Sequence, residues 1–170
     1  YHIASQGLID GGADALLVET TQDLLQAKAA VNGARAAREN CERDIVLIAQ
    51  VTVETTGTML LGSEIGAALN SLAALDVDLI GMNCATGPAE MSEHLRTLSK
   101  SSPIGISCMP NAGLPVLKDG GAYYPLGPDA LASSLSTFVD EYGVGLIGGC
   151  CGTTPAHLKA VVDAVSGMAA

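Results

Sequence analysis

Apolar residues along this chain gather into five short runs, separated by longer stretches in which they recur every third or fourth position. The runs are ALLVE (15–19), DIVLIAQVTV (44–53), VDLIGMN (77–83), PIGISCM (103–109) and VGLIGG (144–149). Each has the length and boundaries of a strand. Apolar on both faces, they suit a parallel sheet covered by helices. They recur about every 30 to 40 residues, the size of one strand–helix unit.

The stretches between them carry helix punctuation. Thr20 and Asp23 read as a capping pair ahead of LLQAKAAVNGARAARE, and Ser63 as a cap for EIGAALNSLAAL. Pro88 stands where a first helical residue belongs, before Met91, Leu95 and Leu98 at helical spacing. Leu131, Leu135, Phe138 and Tyr142 form an apolar stripe, and Pro155 opens AHLKAVVDAV after Thr153 or Thr154. These stripes are core packing. The opening residues, YHIASQGLIDGGAD, read as a helix and its glycine terminus.

Five such units fit two α/β architectures. One is an open, doubly wound sheet. The other is part of a TIM (β/α)8 barrel, which takes about 250 residues when complete. An opening helix means that the chain starts in the middle of a unit. That favours the barrel: residues 1–170 are expected to be its C-terminal five or so βα units, with the N-terminal part missing.

Composition narrows the class. The chain is 48% hydrophobic but only 3% aromatic, without tryptophan, so its core is built from Leu, Val, Ile and Ala. No apolar run approaches the ~20 residues of a spanning helix, and no signal peptide is visible. The chain reads as soluble and cytoplasmic. A formal charge of −10 disfavours nucleic acid and anionic membranes as partners. Five cysteines are an odd number, not spaced as a disulfide framework. In a reducing compartment they are ligands, nucleophiles or core residues.

The chemistry collects at one end of the strands. Glu19 closes the first run, Cys84 the third, and Cys150 with Cys151 the fifth, while Asn111 follows the fourth. In parallel α/β folds the active site lies at the carboxyl ends of the strands. Adjacent cysteines can reach one partner only where the backbone leaves strand geometry, and Gly148, Gly149 and Gly152 supply that freedom. Three thiolates suit zinc, and three ligands without a fourth leave the open position of a catalytic site. Zinc with three thiolates carries a net charge of −1, poor for making hydroxide and good for holding an incoming thiol as an electron-rich thiolate. The matching reaction is alkyl transfer onto a substrate thiol. As alternatives, Cys150 and Cys151 read as a vicinal disulfide or redox pair, and Asn111–Gly113 as a plain turn. Cys41 and Cys108 read as buried hydrophobes, and His2, His94 and His157 as solvated helix residues.

The segments GGCCGTTPAHL, GMNCATGPAEM, MPNAGLP and LLVET together resemble the zinc-dependent homocysteine S-methyltransferase family over nearly the whole chain. NCATGP with MPNAGLP resembles its cobalamin-dependent, methionine-forming branch. The resemblance implies a TIM barrel whose zinc is held by Cys84, Cys150 and Cys151. It also implies that Glu19 holds the amino group of homocysteine and that Asn111 approaches the metal when substrate is absent. Its oxygen would be a weak fourth ligand, displaced by the substrate thiolate. The implied donor is methylcobalamin on another domain, and the implied partners are homocysteine and the cobalamin- and folate-binding domains of the same longer chain. Two other readings remain: a family member using betaine or S-methylmethionine, and a non-catalytic zinc- or thiol-binding fragment. The Asp-Gly-rich opening of the family has no counterpart here, so the fragment alone is expected to be inactive.

Overall fold

The computed structural model describes residues 1–168. Helix α1 (His2–Asp10) leads into strand β1 (Ala15–Thr21), followed by α2 (Leu24–Arg38), β2 (Val46–Val51), α3 (Ile65–Ala73), β3 (Leu79–Asn83), α4 (Pro88–Ser101) and β4 (Gly105–Met109). A small hairpin, β5 (Val116–Lys118) and β6 (Gly121–Tyr123), precedes α5 (Pro128–Tyr142), β7 (Leu146–Ile147) and α6 (Pro155–Val165). Strands β1, β2, β3, β4 and β7 form one parallel sheet in that order. A doubly wound sheet reverses its strand order part-way; this one runs in a single direction, so that alternative is not the observed architecture.

The two faces of the sheet differ. Leu16, Leu47, Ala49, Val51, Ile80, Met82, Ile106 and Cys108 point toward the helices and share one core with Val31, Leu69, Leu95 and Leu135. Side chains alternate along a strand, so Leu17, Ile48, Gln50, Gly81, Asn83 and Ser107 occupy the other face. There Gln50, Gly81 and Ser107 lie side by side in register. A Cβ on Gly81 would sit 1.9 Å from the Ser107 carbonyl oxygen. Its absence lets Gln50 Nε2 reach across β3 and donate to Ser107 Oγ at 3.0 Å.

Several local expectations are met. Asp23 caps α2, its carboxylate accepting from Gln26 N, while Pro88 and Pro155 open their helices. Others need correction. Thr20 is no cap; it belongs to β1 and bonds at the strand end. Ser63 does not cap α3, whose N-cap residue is Glu64 without a side-chain bond. The hairpin over residues 116–123 was not expected, because its residues are exposed on both faces and carry no hydrophobic alternation. At the amino ends of the strands, Arg38 pairs with Asp76 and Asp78, and Asp78 accepts from Leu47 N. That end of the sheet is fastened by ion pairs, leaving the carboxyl end for chemistry.

Candidate metal centre

The strand ends bring the three predicted cysteines together. The sulfurs of Cys84, Cys150 and Cys151 all lie within 4.8 Å of one another, and those of Cys84 and Cys151 are 3.7 Å apart. The backbone does depart from strand geometry, at Cys84 (φ 61°) and Ala85 (φ 58°) as well as at Gly152 (φ 79°). Non-glycine residues in the left-handed region carry strain that accumulates at functional sites.

Hydrogen bonds stitch these turns to each other. Cys84 N donates to Met109 O, Cys150 N to Pro110 O, and Ala112 N to Cys151 O. The buried Asn111 accepts from Cys151 N through Oδ1 at 3.0 Å. Gly149 is needed for space, since a Cβ there would fall 2.3 Å from Thr153 Cγ2.

Burial first, and then the neighbouring Cys84 and Cys151 sulfurs, push the Cys150 thiol up to about 12. Thiols this close resist ionising together unless a cation joins them. Tetrahedral zinc with Zn–S bonds of ~2.3 Å places its sulfurs about 3.8 Å apart, close to the spacing of Cys84 and Cys151. The donor set therefore fits zinc in both chemistry and size. No other group of three or more His, Cys, Asp or Glu side chains among the described residues is arranged to hold a metal. Cys108 is fully buried in the core, as expected; Cys41, also expected to be buried, is only half-buried at the edge of that core, where its sulfur accepts from Arg43 N.

Glu19 lies beside this cluster. Its Oε2 accepts from Asn83 Nδ2 at 2.6 Å and from Thr20 Oγ1. Asn83 Nδ2 is also 3.8 Å from Cys150 Sγ, so one amide touches both the acid and the thiol cluster.

Residues 1–165 match the family model described as homocysteine S-methyltransferase. The chain belongs to the homocysteine S-methyltransferase family. It is 63% identical over 168 residues to a methionine synthase of Mycobacterium tuberculosis, covering 99% of this chain and 14% of that protein. A methionine synthase of Mycobacterium leprae is 63% identical over 166 residues, again with 14% of its length spanned. Among solved structures, the metallated homocysteine methyltransferase MmuM of Escherichia coli superposes with a TM-score of 0.70 at 24% identity, covering 95% of this chain and 51% of that one. Its apo form gives 0.68 at 22% identity, covering 96% and 57%. These two likenesses establish the fold.

In this member of the homocysteine S-methyltransferase family, sequence reasoning missed three residues around the centre. Asn83 lies in the GMNC segment, where nothing in the local pattern gives it a role. Tyr124 follows the unexpected hairpin. It is half-buried against Gly152, where a Cβ would fall 2.2 Å from Tyr124 Cγ. Partial loss of hydration raises its phenol, followed by a hydrogen bond to Cys151 and the nearness of all three cysteines. His157, expected in solvent, is buried: Nδ1 meets Thr154 at the start of α6, and Nε2 meets Leu126 O at 2.9 Å. Its visible signal was its place three residues after a capping threonine.

Proposed function

We propose that this chain forms the homocysteine-binding part of a methionine-forming methyltransferase, with Cys84, Cys150 and Cys151 as the ligands of a zinc ion. The clustering of those three thiols at the strand ends carries the reading. Similarity to the mycobacterial methionine synthases supports it. Bound there, zinc would hold the homocysteine thiol as a thiolate that remains nucleophilic at neutral pH.

The residues of the chain supply the rest. Glu19 receives the substrate ammonium group. Both of its protein hydrogen bonds go to Oε2, which leaves Oε1 for a charge-assisted bond. Asn111 holds the Cys151 turn through its amide oxygen. That oxygen has a second lone pair, with which Asn111 would serve as a weak fourth ligand to the bound metal. The thiolate sulfur would attack the methyl carbon of a donor presented by another part of a longer chain. The S–C bond forms as the methyl–donor bond breaks and its electron pair leaves with the donor; positioning of the two supplies much of the rate. By family resemblance the donor is methylcobalamin, and the neighbouring domains bind cobalamin and folate.

We further propose that the sheet is an arc of a TIM barrel, completed by units outside residues 1–170. The sequential strand order supports this, as does the exposure of Leu17 and Val46 on the face away from the helices. Among the described residues no helix is long and apolar enough to cross a membrane. Free thiols at the centre suit the reducing cytoplasm.

The test is methyl transfer to homocysteine by the zinc-loaded full-length protein, offered methylcobalamin, betaine or S-methylmethionine in turn. Methionine formed from methylcobalamin alone is expected. Transfer from either small donor would replace the cobalamin reading. Zinc bound without transfer from any donor would leave a thiol-binding module.

A further inference from the structure

Strand β1 does not end regularly. Val18 pairs with Ala49, but the next pairing is Thr21 with Val51, so Glu19 and Thr20 together face the single residue Gln50. This is a bulge, a device that re-aims side chains near active sites. It places Thr20 at φ 54°, an outlying conformation for a β-branched residue. Something must hold it there.

Asn83 does so. It is 1% exposed, at the end of β3, two strands away. Its Oδ1 accepts from Thr20 N at 2.8 Å, replacing the ladder bond that the bulge removes. Its Nδ2 donates to Thr20 Oγ1 at 2.8 Å and to Glu19 Oε2 at 2.6 Å. Its own carbonyl accepts from Thr52 Oγ1 at 3.1 Å, which ties the clasp to the end of β2. Both sides of one amide are thereby used, and the amide can face only one way: with oxygen and nitrogen exchanged, an acceptor would oppose the Glu19 carboxylate.

We propose that Asn83 is the positioning residue for amino-acid recognition: it clasps the Glu19–Thr20 bulge, fixes Glu19 Oε2, and turns Oε1 toward the substrate beside the thiol cluster. This deepens the proposed function and rests on the reading that Glu19 receives the ammonium group. A clasp of this kind acts on selectivity. It distinguishes homocysteine from a thiol of the same length without an amino group, and it leaves thiol capture itself unchanged.

The experiment is calorimetric binding of homocysteine and of its des-amino analogue 4-mercaptobutanoate to the zinc-loaded full-length protein. Asn83→Asp keeps the size and the acceptor for Thr20 N but removes the donors and opposes Glu19 with a second carboxylate. It should weaken homocysteine by about tenfold or more, as for a lost hydrogen bond to a charged group. At matched zinc content 4-mercaptobutanoate should lose less than homocysteine does, since the new carboxylate near Cys150 acts on both thiols alike while the clasp on Glu19 serves only the amino group. Equal losses for the two ligands would overturn the clasp. Glu19→Gln, measured in parallel, separates the two levels. If it fails to reduce the preference for homocysteine, the ammonium reading itself falls. If it abolishes the preference while Asn83→Asp retains it, the clasp is overturned and the reading stands. A crystal structure of the wild-type complex decides the matter should the variant not fold. The clasp requires Asn83 Nδ2 on Glu19 Oε2 and the ammonium group on Oε1; an ammonium group that displaces Asn83 overturns it.

Discussion

Asn111 Oδ1 accepts the N–H of Cys151 at 3.0 Å. A side chain expected to occupy the fourth metal position thus also fixes the backbone of a proposed metal ligand. Outer partners of metal ligands typically contribute tenfold to hundredfold in affinity. Asn111→Ala leaves that N–H without its acceptor, and zinc affinity measured by chelator competition should fall by about that factor. An unchanged affinity would leave Asn111 with the displaceable-ligand role alone.

The turn after the paired cysteines leaves no room for a side chain. Gly152 adopts φ 79°, and a Cβ would fall 2.2 Å from Tyr124 Cγ. Gly152→Ala should therefore cost more than the roughly 1–2 kcal/mol of the left-handed backbone and lower zinc occupancy. Adding Tyr124→Gly, which removes the ring and also the Tyr124 Cβ that would stand 2.4 Å away, should recover the steric part only. Additive effects in this double-mutant cycle would show that the two residues do not touch.

Gly81 makes an independent claim about the sheet. A Cβ there would meet backbone, at 1.9 Å from Ser107 O, so no rotamer change relieves it. Gly81→Ala should destabilise by at least the ~1–3 kcal/mol of ordinary overpacking, read from the denaturant midpoint. A wild-type midpoint would mean that Gln50 and Ser107 do not bridge over β3.

What could be read in advance follows from the range of each signal. The strands were visible because an apolar run is local, and the three cysteines because the strand ends of a parallel sheet converge whatever the intervening sequence. Asn83 was not visible as a partner of Glu19. Their contact spans 64 residues and depends on a bulge in β1, and no local pattern announces that bulge. Tyr124 was hidden for a different reason: the exposed hairpin that delivers it has no buried face to impose a period. His157 was misjudged because a capping role inside a helix leaves the hydrophobic pattern unchanged.

The ligand set predicts its own failure pattern. Zinc favours soft thiolates here, so Cys84→Ser, Cys150→Ser and Cys151→Ser should each lose most of the metal, while Cys41→Ser should not. Elemental analysis of the purified variants checks this. Full zinc in Cys151→Ser would remove it from the set.

In the proposed centre Cys84, Cys150 and Cys151 hold zinc with one position open to the substrate thiol. X-ray absorption at the zinc edge of the full-length protein, with and without homocysteine, tests it most directly. Three sulfurs and one oxygen are expected without substrate, and four sulfurs at saturating homocysteine. A site of three sulfurs and one oxygen that persists unchanged with homocysteine bound would contradict it.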